Sequence, residues 1–370
     1  MTSVIEKTLS IKEVKVPGYE KILFVTDEKT GLQAIICLHN STLGPTLGGT
    51  RIYPYDSFEA ALNDAKRLSR GMTYKSAIAE TGLGGAKSVI IADAKKKKRE
   101  EILLAFGQAV HTLKGNYICA EDFGCTTEDV MMIRKATPYV VGLIHEKSSG
   151  DPGLFTAWGT LRGIQATAKA AFGSDSLEGK RIAIQGLGSV GQRLLDHLFW
   201  AGAKLFVTDI DRQKIERAAK LYRAEGVEPE KILSLECDIL SPCALGAVIN
   251  PQTIAQMRCR AIAGSANNQL LFDSDAEELM RRKILYAPDF VINAGGLINV
   301  TQEIEFEGYD PQKARDRVNR IYDGLQLIFR IADQNKISTH AAAIALADYR
   351  LKYGIGRRTN PIYLHHAKSF

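Results

Sequence analysis

The chain has 370 residues, 45% hydrophobic and 24% charged, with a formal net charge of +6. That length exceeds one ordinary domain and accommodates two, and the composition is that of a globular protein with a sizeable core, which excludes the disordered and fibrous classes. No apolar run is long enough to span a bilayer, Met1 to Glu20 has no signal-peptide core, and the six cysteines lie scattered without a CxxC pair. Reduced thiols in a cytoplasmic protein are therefore expected, with no metal and no membrane partner.

In chain order, Lys21–Thr26 and Leu32–His39 are rich in β-branched and apolar residues and predict two strands joined by a turn at Glu28 to Gly31. Asp56-x-x-Glu59 resembles a capping box opening a helix with Phe58, Ala61, Leu62, Ala65 and Leu68 on one face, which Gly71 is expected to interrupt. The glycine-rich segment Thr81 to Lys87 should lead into a buried strand over Ser88–Ala92. The run Lys95 to Arg99 could be a nucleic-acid patch, but no aromatic residues interleave with it, so it reads as a solvated loop. Ile102–Leu113 predicts a helix and Tyr117–Ala120 a short strand ending at Glu121-Asp122. Ser148 to Gly153 is turn-rich and marks a hinge, with Pro152 in the first turn of a helix that ends at Gly173. From Arg181 strands and helices alternate as in a parallel sheet, with strands expected at Ile182–Gln185, Lys204–Thr208, Ala261–Ala263 and Phe290–Asn293. One helix is expected from about Pro311, with Val318, Ile321, Leu325, Ile328 and Ala332 on one stripe.

The segment Arg181 to Asp209 holds a strand, the glycines Gly186, Gly188 and Gly191, a helix, a second strand and a terminal acid, in that order. Gly186 permits the tight turn, Gly188 lets the backbone approach a pyrophosphate, and Gly191 lets the helix pack on the strand. The helix start, with Ser189 and Val190, offers free N–H groups to phosphate oxygens. Asp209, about 20 residues past the glycines, can bind an adenosine 2′-hydroxyl and would repel a 2′-phosphate. NAD is therefore the expected cofactor, a preference that the nearby Arg212 and Lys214 soften without reversing.

In the first half, Lys75 and Lys87 each sit in glycine-bearing, otherwise apolar surroundings, and Asp122 follows an apolar strand end. A desolvated lysine, or one beside another cation, can act as a base near neutral pH. Taken singly, each of the three also reads as an ordinary solvated or capping residue.

Six ordered motifs carry a resemblance: Gly48-Gly49-Thr50-Arg51, Gly71 to Lys75, Gly84-Gly85-Ala86-Lys87, Ala120-Glu121-Asp122, Gly264 to Gln269 and Asn293 to Gly296. Together they resemble the glutamate/leucine/phenylalanine/valine dehydrogenase family over nearly the whole chain, and within it the leucine-acting branch. The resemblance implies an α/β fold with two domains. An N-terminal catalytic domain of residues 1–142, joined by C-terminal helices 336–370, would accompany a Rossmann-type doubly wound domain of residues 143–335. It implies NAD-dependent, reversible oxidative deamination of an aliphatic L-amino acid, with L-leucine leading, by a homo-oligomer of two to eight chains.

Carried over by position, Lys75 would hold the substrate carboxylate, Lys87 would activate water, and Asp122 would pass a proton to and from the substrate nitrogen. The charge of Lys75 would help depress the pKa of Lys87. Gly48 and Met72 would lie beside the substrate. Asn268 would lie between substrate and nicotinamide, Asn293 would contact the carboxamide, and Thr156, Ile210, Cys243 and Ala244 would line the cofactor cleft. Glutamate-acting members have a lysine in place of Leu47 and a serine in place of Val300, so here Leu47, Ala120, Leu297 and Val300 would form an apolar wall. A carboxylate buried there without a partner would cost several kcal/mol. Leu297 stands where the leucine-acting branch carries valine, and Cys125 where threonine is commoner. One methylene shifts discrimination by only about 1–3 kcal/mol, so leucine, valine and an aromatic side chain stay open as alternatives. A non-catalytic dinucleotide-binding regulator is the reading from another class; Lys75, Lys87 and Asp122 together argue against it.

Overall fold

Residues 8–93, 99–145, 147–244 and 246–365 are described by the computed structural model of the protein. The first residues of the charged N-terminus and residues 95–98 of the basic run lie outside that set. The chain divides into two units, Met1–Gly150 with Val300–Asp310 and Arg350–Phe370, and Asp151–Asn299 with Pro311–Tyr349. The division falls at Gly150/Asp151 rather than after residue 142, and residues 336–349 group with the second unit rather than the first. The helix begun by Pro152 explains the first difference, because Asp151 caps it by accepting from the Gly153 N–H at 2.7 Å.

In the first unit, β1 (Leu9–Val14), β2 (Lys21–Asp27) and β3 (Leu32–Asn40) form an antiparallel meander. Then come β4 (Thr46–Tyr53), α1 (Phe58–Ile78), β5 (Gly84–Ile91), α2 (Arg99–Thr112), β6 (Tyr117–Ala120) and α3 (Thr127–Arg134). The sheet order is β1-β2-β3-β5-β4-β6, with β5, β4 and β6 parallel to one another. One face buries Ile22, Ile35, Cys37 and Val89 against Ala61 and Ala65 of α1; the other buries Ile36, Ala86 and Ile90 with Phe106 and Val110 of α2. Side chains alternate along a strand, so Gly85, Lys87 and Val89 face α1.

Three expectations change here. The cap of α1 is Ser57, whose Oγ accepts from the Ala60 N–H at 3.1 Å, not Asp56. Gly71 does not interrupt α1. A helical glycine costs only about 1 kcal/mol, and the burial of Ser69 and Thr73 on either side of it carries the helix through. The strand expected from Ser88 begins earlier, because Gly84 to Lys87 form the first half of β5. Its glycines serve close approach: a Cβ on Gly85 would stand 2.1 Å from the backbone N of Thr73 in α1.

The later segments complete this unit. Glu303 accepts from the N–H groups of Gly142 at 3.0 Å and Ser149 at 2.7 Å. Arg350 donates to the carbonyls of Ala77 and Ile78 at the end of α1, at 3.0 and 2.6 Å.

The second unit begins with α4 (Pro152–Phe172), which ends at left-handed Gly173 as expected. It then alternates β7 (Arg181–Gln185), α5 (Ser189–Trp200), β8 (Lys204–Thr208), α6 (Arg212–Tyr222), β9 (Glu225–Gly226), β10 (Ile239–Pro242), α7 (Pro251–Gln256), β11 (Ala261–Ile262), α8 (Asp275–Arg281) and β12 (Leu285–Tyr286). Helices α9 (Asp289–Ile292), α10 (Gly295–Val300), α11 (Pro311–Asn319), α12 (Ile321–Asn335) and α13 (Thr339–Tyr353) follow. All six strands are parallel, in the order β12-β11-β10-β7-β8-β9, so the chain winds outward in both directions from the β7/β10 pair. This is the doubly wound arrangement expected, with its switch point between β7 and β10.

Phe290 to Asn293 form no strand; they fall in and just after α9, and the last strand is Leu285–Tyr286. A four-residue apolar run fits either element, and here it follows the extended N-cap Pro288 into a short helix. The expected single helix from Pro311 is two, yet its stripe of Val318, Ile321, Leu325, Ile328 and Ala332 is buried throughout.

Candidate active site

In the first unit, Lys87 is only 5% exposed, and its Nζ lies 2.9 Å from Oδ2 of Asp122. Asp122 follows β6 and lies over β4 at Gly49, where a Cβ would come 2.8 Å from the Asp122 Cβ. The same Oδ2 accepts from Arg51 Nε at 2.9 Å. Arg51 also donates through Nη1 to Asp64 Oδ2 at 2.8 Å, and that oxygen accepts from the Tyr55 hydroxyl at 2.6 Å. Oδ1 of Asp122 receives no hydrogen bond from the described residues.

Burial pushes the Lys87 pKa down; Asp122 opposes this, Arg51 reinforces it, and the result lies below the ordinary lysine value. Arg51 is a cation that contributes to this lowering. Burial pushes Asp122 up, but the charges of Lys87 and Arg51 outweigh it and hold the carboxyl below its usual range. Arg51 stays charged, since Asp122 and Asp64 overcome its burial.

Leu47 is 2% exposed and pairs with Gly85 of β5 and Ile118 of β6; Gly48 pairs with Cys119, and Gly49 with Ala120. Leu47, Gly48, Ala120, Lys87 and Asp122 therefore gather on three adjacent strands. Met72 and Lys75 lie on the part of α1 seated against Gly85 through Thr73, whose Oγ1 is 2.8 Å from His39 Nδ1. Val300 belongs to the first unit, whereas Leu297 and Asn268 belong to the second. Arg51, Asp64 and Tyr55 received no role from the sequence. Arg51 was visible in its glycine motif, and Asp64 falls on the buried stripe of α1 three residues after Ala61.

In the second unit, the dinucleotide residues collect at the carboxyl ends of the strands. Gly186 has φ of +99°, which favours glycine, and a Cβ there would stand 2.6 Å from that of Ala244 at the end of β10. A Cβ on Gly191 would come 2.0 Å from the Gly186 carbonyl oxygen and 3.6 Å from Cys243 Cβ. Beside Gly188 there is open space, and the start of α5, with Ser189 and Val190, carries no side-chain cap. Asp209, just past β8, accepts from the N–H of Leu187 at 2.7 Å and of Asp211 at 2.9 Å, with Lys214 Nζ 3.7 Å away. Ile210 beside it is 99% exposed. Gly295 and Gly296 press on Phe155 and Thr156, bringing Thr156 next to the Asn293 turn.

Asn293 donates through Nδ2 to Ser265 O at 3.2 Å and Asn267 Oδ1 at 2.6 Å. Its Oδ1 is buried without a protein partner. That orphaned acceptor and the uncapped, open helix start fit a dinucleotide's carboxamide and pyrophosphate. Asn268 holds a left-handed conformation, φ +51°. Among the described residues, no group of three or more His, Cys, Asp or Glu is placed to hold a metal ion, and no helix is long and apolar enough to cross a membrane.

A doubly wound sheet with a glycine turn at its switch point, in one chain with a buried lysine–aspartate pair, defines a dinucleotide-dependent oxidoreductase. Residues 19–139 match the model of the Glu/Leu/Phe/Val dehydrogenase dimerisation domain, and residues 205–350 match that of the Glutamate/Leucine/Phenylalanine/Valine dehydrogenase domain. The chain belongs to this family of NAD(P)-dependent amino-acid dehydrogenases. It is 48% identical to the leucine dehydrogenase of Geobacillus stearothermophilus, over 92% of this chain and 93% of that one. It is 46% identical to the L-tryptophan dehydrogenase of Nostoc punctiforme, over 93% and 96%. A crystal structure of L-tryptophan dehydrogenase from Nostoc punctiforme superposes with a TM-score of 0.81 at 44% identity, covering 91% of this chain and 97% of that one.

Proposed function

We propose that the protein catalyses NAD-dependent, reversible oxidative deamination of an aliphatic L-amino acid, L-leucine leading, to the 2-oxo acid and ammonium. It does so as a cytoplasmic homo-oligomer. The observation that carries this reading is the buried Lys87–Asp122 pair on the face where Leu47 is 2% exposed.

A bound nicotinamide would supply the acceptor for the hydride that leaves the substrate Cα. Lys75 holds the substrate carboxylate as a charge-assisted pair. Lys87, its pKa lowered chiefly by burial, takes a proton from the water that adds to the imine carbon. Asp122 returns a proton to the nitrogen that leaves as ammonia. Leu47, Ala120 and Val300 would present apolar surface to the side chain, which disfavours glutamate. On the cofactor side, the Asp209 carboxylate supports NAD over NADP, since a 2′-phosphate would meet its charge. Asn293 would receive the carboxamide on its free Oδ1. Thr156, Cys243, Ala244 and Ile210 would line the cofactor's path, with Asn268 toward the substrate.

The test follows NADH formation at alkaline pH with a panel of L-amino acids, NAD against NADP, on a preparation whose mass is measured by light scattering. Highest kcat/KM for leucine, isoleucine or valine with NAD is expected, at a mass of two or more chains. Preference for phenylalanine or tryptophan would replace the aliphatic reading, and NADH binding without turnover would remove the enzymatic one.

A further inference from the structure

The deamination reading gives Lys87 and Asp122 their tasks but leaves the charged residues behind them unexplained. We propose that Arg51, held in turn by Asp64 and Tyr55, is a positioning residue for this reaction: it pins Asp122 through Oδ2, keeps Oδ1 open to the substrate's proton, and stands as a permanent cation beside Lys87. The proposal rests on the deamination reading and deepens it.

The geometry gives the reason. Both Lys87 Nζ and Arg51 Nε meet the same oxygen of Asp122, each at 2.9 Å. A lysine must be a neutral amine when it acts as base, and in that form, before it takes the proton, its hold on the carboxylate is weaker. Arg51 does not titrate in that range, so its charge-assisted bond persists and the aspartate keeps its orientation. The guanidinium itself is spread between two carboxylates on different elements, Nε to Asp122 after β6 and Nη1 to Asp64 on α1. Tyr55 fixes the far end by donating to the same Asp64 oxygen. A lysine at position 51 would supply the charge without the fork.

The charged and titratable groups around Lys87 come from every neighbouring element. β4 gives Arg51, the segment after β6 gives Asp122, and the loop before α1 gives Tyr55. Helix α1 gives Asp64, with Arg67 3.6 Å from it, and farther along Lys75. β3 gives His39 and Cys37, the thiol of the latter pushed up to about 11 by burial. Arg51 favours loss of the Lys87 proton, while Asp64 and Asp122 oppose it. Removing Arg51 and removing Asp64 must therefore act on the base in opposite directions, which a purely structural role would not produce.

The experiment measures kcat/KM against pH for the best substrate of the panel, in the full-length protein and its Arg51→Gln, Arg51→Lys and Asp64→Asn variants, with the thermal melt of the whole protein as the control for folding. Deamination needs the neutral lysine, so activity climbs with pH through its titration. In R51Q that climb should move up by about 1 pH unit, a roughly tenfold loss at a fixed pH on the limb. In D64N it should move to lower pH. R51K should keep the wild-type limb while kcat falls about tenfold. Limbs that stay put in R51Q and D64N, or that move the same way, overturn the proposal. Should R51Q fail to fold, the D64N shift and the R51K split decide alone, and an unmoved D64N limb overturns it. If the wild-type protein oxidises no amino acid, the deamination reading fails instead, and the two failures are told apart.

Discussion

A lysine 5% exposed is tolerable only because its charge is shared with Asp122, and the same burial suits it to give that charge up. Lys87→Ala should reduce kcat at least a thousandfold while NADH affinity, read by fluorescence titration, stays within about twofold, since the dinucleotide residues lie in the other unit. Near-wild-type turnover would falsify its role as base. Leu47 is the second residue on which the reading turns. Leu47→Lys should lower kcat/KM for leucine at least tenfold and raise the glutamate-to-leucine ratio, measured by competing initial rates. An unchanged ratio would show that the wall lies elsewhere. Lys75, Lys87 and Asp122 could be picked out in the sequence because each sits in a motif. Arg51's tie to Asp122 could not, because those residues stand 71 positions apart and meet only once β4 and β6 pair.

At the scale of elements, close backbone approach decides most of what happens at the site. α5 packs so tightly on the β7 turn that a Cβ on Gly191 would stand 2.0 Å from the Gly186 carbonyl oxygen. Gly191→Ala must displace either the helix or the turn, and the expected result is a loss of NADH affinity of tenfold or more. NADH at a hundred times the wild-type Kd should stabilise the wild-type protein by about 2.7 kcal/mol, visible as a raised melting temperature, with little or no rise in G191A. An equal rise in both would remove the glycine turn from the binding site. The glycine spacing, strand and terminal acid of this βαβ unit were readable in sequence because they follow one another within some thirty residues, Arg181 to Asp209. The same pattern reasoning failed at Phe290 to Asn293, where four apolar residues say nothing of period, and at Gly71, where tertiary packing of α1 overrides a small local cost. It also missed β4, whose two central glycines disguise a strand buried between β5 and β6.

At the scale of the whole molecule, the α/β class, the doubly wound sheet and the family could all be read from sequence, since they follow from alternating periodicity and ordered motifs. The interleaving of the two units was expected only in part, through C-terminal helices joining the first domain. The first unit takes segments from the beginning, Val300–Asp310 and Arg350–Phe370, and the middle segment is revealed only by tertiary contacts. Glu303 holds the Gly142 and Ser149 N–H groups, Arg358 donates its backbone N–H to the Leu43 carbonyl at 2.8 Å, and Arg350 caps the end of α1. This has a consequence for how the protein is made. Synthesis delivers the sheet with Lys87 and Asp122 well before Arg350, whose guanidinium closes the helix carrying Lys75. The first unit is therefore begun before the segments of the second are made and closed only after them.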